Sequence, residues 1–166
     1  MNGSDYAALA VAFLVLMAPA ATSVAQTSSS YKCFCQTAGT DLPEPLGDRE
    51  GHAVTVTSYT CRVEGGALDG GVLTGTSMYE WDRTNARGLS GNGVGRKAGA
   101  MLVYQLGDFK NELILADGKV SGFLASGQGT YKLATGSAAS LAGKTFTYTA
   151  RRTGSSHPCR WSPRRR

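Results

Sequence analysis

The pair Asp117-Gly118 stands between two apolar runs, NELILA (111–116) and KVSGFLAS (119–126). Asp-Gly suits a type I′ turn, whose two central residues both need positive φ, and such a turn joins antiparallel strands. It is the strongest hairpin signal in the chain. The stretch that follows, residues 120–152, holds two apolar runs divided by a segment in which small residues recur every few positions. It reads as the closing strands of an antiparallel barrel or sandwich. KTFTYTAR (144–151) alternates, with Phe146 and Tyr148 on one face and Thr145, Thr147 and Thr149 on the other. Between these runs, GQGTYKLATGSAASLAG (127–143) is expected to form a short strand around residues 130–133 and then a turn.

Upstream, the same grammar repeats. YKCFCQT (31–37) is a candidate first strand with Tyr31, Cys33 and Cys35 on one face. Residues 38–52, with Pro43, Pro45, Gly47 and Gly51, read as a long irregular loop. AVTVTSYTCRV (53–63) is strand-like in composition, but its alternation changes parity: Val54 and Val56 share one face, while Tyr59, Cys61 and Val63 share the other. That slip predicts a bulge near Ser58 or a strand apolar on both sides. EGGALDGG (64–71) is a glycine turn. VLTGTSMYEWD (72–82) follows as a strand, with Tyr79 and Trp81 on one face and Met78, Glu80 and Asp82 on the other. Residues 83–99 read as a long loop or as a glycine-rich strand that lets its neighbours approach closely. AMLVYQL (100–106) and NELILA are expected to be separate strands joined by residues 107–110.

Nothing after residue 25 shows apolar spacing of 3, 4 and 7 sustained over ten residues. Short β runs punctuated by glycine therefore predict an all-β fold, a single antiparallel barrel of about eight strands, with a sandwich as the alternative. Closure favours the barrel because it removes the edges that threonine-rich strands would offer to other chains.

The first residues carry an address. AALAVAFLVLM (7–17) is an unbroken apolar run followed by Pro19 and small residues ending Ser23-Val24-Ala25, the pattern of a secretory signal cleaved near Ala25, although a basic leader is missing. The run is too short to span a bilayer comfortably. Export to the periplasm or the cell exterior is expected, with a barrel domain at 26–150 and a basic tail at 151–166. Between residues 26 and 150 there are 11 Lys+Arg and 11 Asp+Glu, so the body is neutral. Arg151, Arg152, Arg160, Arg164, Arg165 and Arg166 supply the excess and form a candidate contact for an anionic surface. Specific nucleic-acid binding and, after processing, membrane spanning are not expected.

Cys33, Cys35, Cys61 and Cys159 are disulfide candidates for an oxidising compartment. Cys33 with Cys35 fits disulfide geometry least well, because residues two apart on a strand point the same way. The remaining pairings link the first strand both to the Cys61 strand and to the C-terminal tail. No zinc spacing is present, and neither a metal nor a cofactor is expected.

Catalytic signals are sparse. There is no G-x-S-x-G, and Gly88-Leu89-Ser90-Gly91 is a near miss inside a glycine loop. His52 and His157 sit in loop-like sequence. The GNGVG run at 91–95 lacks dinucleotide spacing and a following helix. Glu80, between Tyr79 and Trp81, is a candidate buried carboxylate only if its face is the lumen. No catalytic residue is assigned. Tyr79, Glu80, Trp81, Tyr104 and Tyr148 are the candidate ligand-binding residues.

Four segments carry a likeness: LTGTSMYEW (73–81), GNGVG (91–95), ADGKVSG (116–122) and GQGTYKLATGSAASLAG (127–143). Their order resembles small secreted proteins of the allene oxide cyclase-like (dirigent-like) barrel group, in which a late glycine-rich segment precedes the closing strands. The likeness spans residues 72–143 and rests on glycine placement. It implies an eight-stranded barrel with a central apolar cavity. It does not imply cyclase activity, because that enzyme's catalytic residues are not placed one by one on this sequence. The expectation is a non-enzymatic exported module that binds a small hydrophobic ligand in its lumen or engages a partner. The alternatives are a lumen-based isomerase or cyclase, or a surface binder acting through the arginines.

Overall fold

The computed structural model describes residues 31–38, 43–153 and 158–163. The expected signal peptide and its cleavage point near Ala25 lie outside these residues, as do Arg164, Arg165 and Arg166. The described strands are β1 Tyr31–Ala38, β2 Glu44–Pro45, β3 His52–Glu64, β4 Val72–Asp82, β5 Asn85–Lys97, β6 Ala100–Ala116, β7 Lys119–Gly136, β8 Thr145–Thr153 and β9 Pro158–Pro163.

All pairings are antiparallel, each strand beside its sequence neighbour from β3 to β9, and β1 pairs with both β3 and β9. The sheet therefore closes into a ring of eight strands, with the two-residue β2 added at the start of β3. An all-antiparallel ring needs an even number of strands, and β9 supplies the eighth. The reading of residues 151–166 as a tail is corrected accordingly. Arg151 and Arg152 belong to β8, and Arg160 stands in β9 opposite Lys32 and Thr149. The segment has no periodicity of its own because both of its edges are specified by strands already in place.

The β6–β7 turn is the one expected: Asp117 and Gly118 have φ of 51° and 72°. Two expected breaks are instead continuous strand. Residues 107–110 lie within β6, with a bulge at Gly107-Asp108 where the register steps from Leu106↔Gly129 to Phe109↔Gly127, and β7 continues as one strand through the glycine-rich segment. Residues 83–99 resolve as the glycine-rich strand β5, with Leu89 left over by the register shift opposite Met78 and Tyr79. Gly75 and Gly93 stand opposite each other in β4 and β5. The Tyr104 phenol lies across both, so that a Cβ at either would overlap its hydroxyl. This close approach is what the glycine cluster provides.

The interior has two unlike halves. At one end the 3-10 turns Gly66–Leu68 and Ala139–Leu141 fold inward and plug the ring with Leu68 and Leu141. Above them Val63, Leu73, Leu102, Tyr104, Tyr131 and Phe146 are fully buried. Tyr131 and Phe146 pack with ring centroids 4.6 Å apart, and Tyr104 meets Phe146 edge-on at 6.1 Å. The other half is not filled in this way. The disulfide joins Cys35 to Cys61, directly opposite residues of β1 and β3. Cys33 is buried and stands opposite Cys159 in the β1–β9 register; the Cys159 side chain lies outside the described residues. No helix among the described residues is long and apolar enough to cross a membrane.

Candidate functional site

In β3 the expected slip near Ser58 does not occur. The β3–β4 register runs without interruption from His52↔Asp82 to Arg62↔Val72. Odd-numbered residues point inward throughout, so Thr55 is buried and Val56 is 53% exposed. The polarity of the strand is reversed in this half of the barrel: hydroxyls face the lumen and valines face out. Ser77 of β4 is likewise buried.

The small inward residues leave a cavity of about 540 Å³ that opens at the end opposite the plug. Described residues of six strands line it, and it has the size of sites that hold drug-sized molecules. Thr57, Tyr79, Trp81, Ala125, Tyr148 and Ala150 define its walls. At its rim the β6–β7 hairpin overhangs its neighbours. Pairing with β5 stops at Glu112 and pairing with β8 stops at Gly122, leaving Leu113, Val120 and Ser121 on the mouth.

Tyr79, Trp81 and Tyr148, candidates from the sequence, all line this cavity. Trp81 donates its indole N–H to Thr55 Oγ1 at 2.9 Å in a buried contact, and Phe109 meets Tyr79 edge-on at 5.3 Å. Tyr104 is brought to the floor rather than the wall. Its hydroxyl shares a 2.8 Å hydrogen bond with that of Tyr59, which does line the cavity. Burial, followed by the neighbouring Tyr59, holds the Tyr104 phenol far above its ordinary value. Tyr131, hydrogen-bonded to Tyr31 deeper in the plug, is pushed up to about 12, mainly by burial. Burial and Tyr131 raise Tyr31 well above the ordinary phenol value too. These phenols are neutral fixtures at ordinary pH.

Glu80 is corrected. It points away from the lumen, because Tyr79 and Trp81 on either side of it occupy the inner face. Outside the barrel it joins a polar cluster. His52 donates from Nε2 to Glu80 Oε1 at 2.9 Å and from Nδ1 to Asp48 Oδ1 at 2.5 Å. Arg87 Nε donates to Glu80 Oε2 at 2.7 Å. The hydrogen bonds that His52 donates to Asp48 and then to Glu80 raise its value, and the same bonds lower both carboxylates. The cluster fastens the turn before β3 to the outer face of β4.

Of the arginines, Arg152 lines the cavity mouth while Arg151 faces solvent. Arg151 and Arg152 therefore face different ways; the side chains of Arg160, Arg164, Arg165 and Arg166 lie outside the described residues. Among the described residues no group of three or more His, Cys, Asp or Glu is placed to hold a metal, and the described cavity lining contains no carboxylate or imidazole.

Sequence reasoning missed Thr55, Thr57, Ala125, Ala150 and above all Asn111, whose buried Oδ1 has no hydrogen-bond partner. The available signal was the continuity of the odd-numbered face in β3, which places threonine inside without any bulge. Comparison with protein-family models, with curated proteins and with solved structures finds no match to this chain.

Proposed function

We propose that the protein is a non-enzymatic binding module that holds a small, largely apolar molecule in the open half of its barrel, acting outside the cytoplasm after export. The observation that carries this reading is the reversed polarity of β3 in the upper barrel, with Ser77 beside it in β4. Chains that fill a barrel place valine inside and threonine outside. Here Thr55, Thr57 and Ser77 occupy inner positions, Val54 and Val56 outer ones, and aromatic walls surround the space that results. A lining without carboxylate or imidazole among the described residues suits binding better than proton transfer. Arg151 and Arg152 are divided between the outer surface and the mouth, so these two residues give the alternative of an anionic-surface binder no support.

Titration with the neutral fluorophore N-phenyl-1-naphthylamine tests the reading. A single saturable site with blue-shifted emission is expected, and it should be lost in Ala125→Trp, which fills the cavity from its wall. Absence of saturable binding, or binding unchanged in that variant while the fold is retained, would overturn it.

A further inference from the structure

An inward row of register partners crosses the upper barrel: Trp81↔Ala86 between β4 and β5, Ala86↔Asn111 between β5 and β6, Asn111↔Ala125 between β6 and β7, and Ala125↔Ala150 between β7 and β8. Trp81, Asn111, Ala125 and Ala150 all line the cavity, and Ala86 is buried. From Ala86 to Ala150 the row is alanine except for one amide. The methyl groups on either side of Asn111 cannot hydrogen-bond to it, and its Oδ1 is shut off from solvent with no partner.

Such an acceptor is costly: a buried carbonyl without a donor forfeits the hydrogen bond that water gave it in the unfolded chain. An aliphatic side chain at this position would complete an apolar wall at no such cost. A half-turn about Cβ–Cγ exchanges the carbonyl and amino ends of the amide within nearly the same space, so Oδ1 can be turned toward the cavity without moving the backbone.

We propose that Asn111 is the polar anchor of the cavity and that the ligand is an apolar molecule carrying a hydroxyl, which donates its hydrogen bond to Oδ1 of Asn111. This inference rests on the reading of the cavity as a ligand site and narrows its chemistry. The aromatic walls receive the hydrocarbon body, and the amide fixes its orientation. A ligand hydroxyl that reaches Oδ1 gains a hydrogen bond that a hydrocarbon of equal shape forgoes, so the site discriminates between the two.

The probes are 2-naphthol and 2-methylnaphthalene, which differ by a hydroxyl against a methyl at one ring position. Affinities for both are measured in the wild-type protein, in Asn111→Leu and in Asn111→Ala; the alanine variant serves if leucine disturbs the fold. The wild type should bind both, and each variant should shift the affinity ratio about tenfold against 2-naphthol, the effect of one hydrogen bond. An unchanged ratio with both probes still bound would overturn the anchor and leave the ligand site standing. Failure of the wild type to bind either probe would overturn both.

Discussion

Trp81 reaches diagonally across the β3–β4 pair to place its indole N–H 2.9 Å from Thr55 Oγ1, inside the barrel and away from water. A hydroxyl facing a lumen is ordinarily a defect. Here it satisfies the one polar atom of the largest aromatic side chain on the wall, and so holds that ring upright at the side of the cavity.

Thr55→Val keeps the shape and removes the acceptor. It is expected to destabilise the protein by about 1–3 kcal/mol, the cost of stranding a buried donor, despite adding an apolar group to a buried position. Denaturant unfolding with Trp fluorescence reads the loss. A neutral or stabilising result would show that the hydroxyl is not needed there.

The two halves of the interior should answer enlargement and truncation differently. Leu102 is fully buried above the plug, so Leu102→Ala is expected to cost about 2–5 kcal/mol. Ala125 faces open space, so Ala125→Phe should change stability by less than about 1 kcal/mol, where a well-packed core would lose about 1–3 kcal/mol to the added ring. Chemical denaturation of both variants makes the comparison.

Much of the fold was legible because most of the strands follow ordinary rules in both halves of the barrel. Phe146 and Tyr148 against Thr145 and Thr147, Cys61 and Val63 against Arg62, and the Asp117-Gly118 turn all behave as pattern predicts. The upper barrel was misread for one reason. Alternation assigns the apolar face to the inside, and beside the open cavity that rule is reversed at Val54, Thr55 and Val56. The bulge expected at Ser58 was a consequence of that assumption. Irregularities lie instead at Leu89 and at Gly107-Asp108, where glycine looked like a loop or a turn, and in β7 at Ser121 and Lys132. Strand β9 was invisible for another reason: barrel closure specifies it, not its own residues.

Asn111→Leu is expected to stabilise the empty protein by about 1 kcal/mol, since it replaces an unpartnered buried acceptor with an apolar group of similar shape. Thermal unfolding without added ligand measures this. A loss of stability would mean that the amide is needed for the fold.

The outer cluster makes stability depend on pH in a definite direction. His52 is raised above its ordinary 6.5, so its contribution is fully present below that value and disappears as pH climbs through the folded value. Glu80 and Asp48 are lowered from 4.5 and 3.8, so theirs is present above those values and disappears as pH falls through the folded ones. The difference in unfolding midpoint between the wild type and His52→Gln should therefore be largest between pH 4.5 and 6.5. It should shrink on either side. A difference that grows above neutrality would contradict the assignment, in which Arg49 and Arg87 complete the surrounding charges.

Removing the Cys35–Cys61 bond by the double change to serine frees residues separated by 26 positions. It is expected to cost about 2–4 kcal/mol, read by denaturation with and without reductant. The wild type in reductant should approach the double variant.

The central claim is that half of this barrel is open to a guest. A crystal soaked in iodobenzene tests it most directly through the anomalous signal of iodine. The account predicts a strong peak inside the barrel between Thr57, Ala125 and Ala150, and none in Ala125→Trp. Side-chain density filling that space in the wild type, with no iodine within it, would contradict the account.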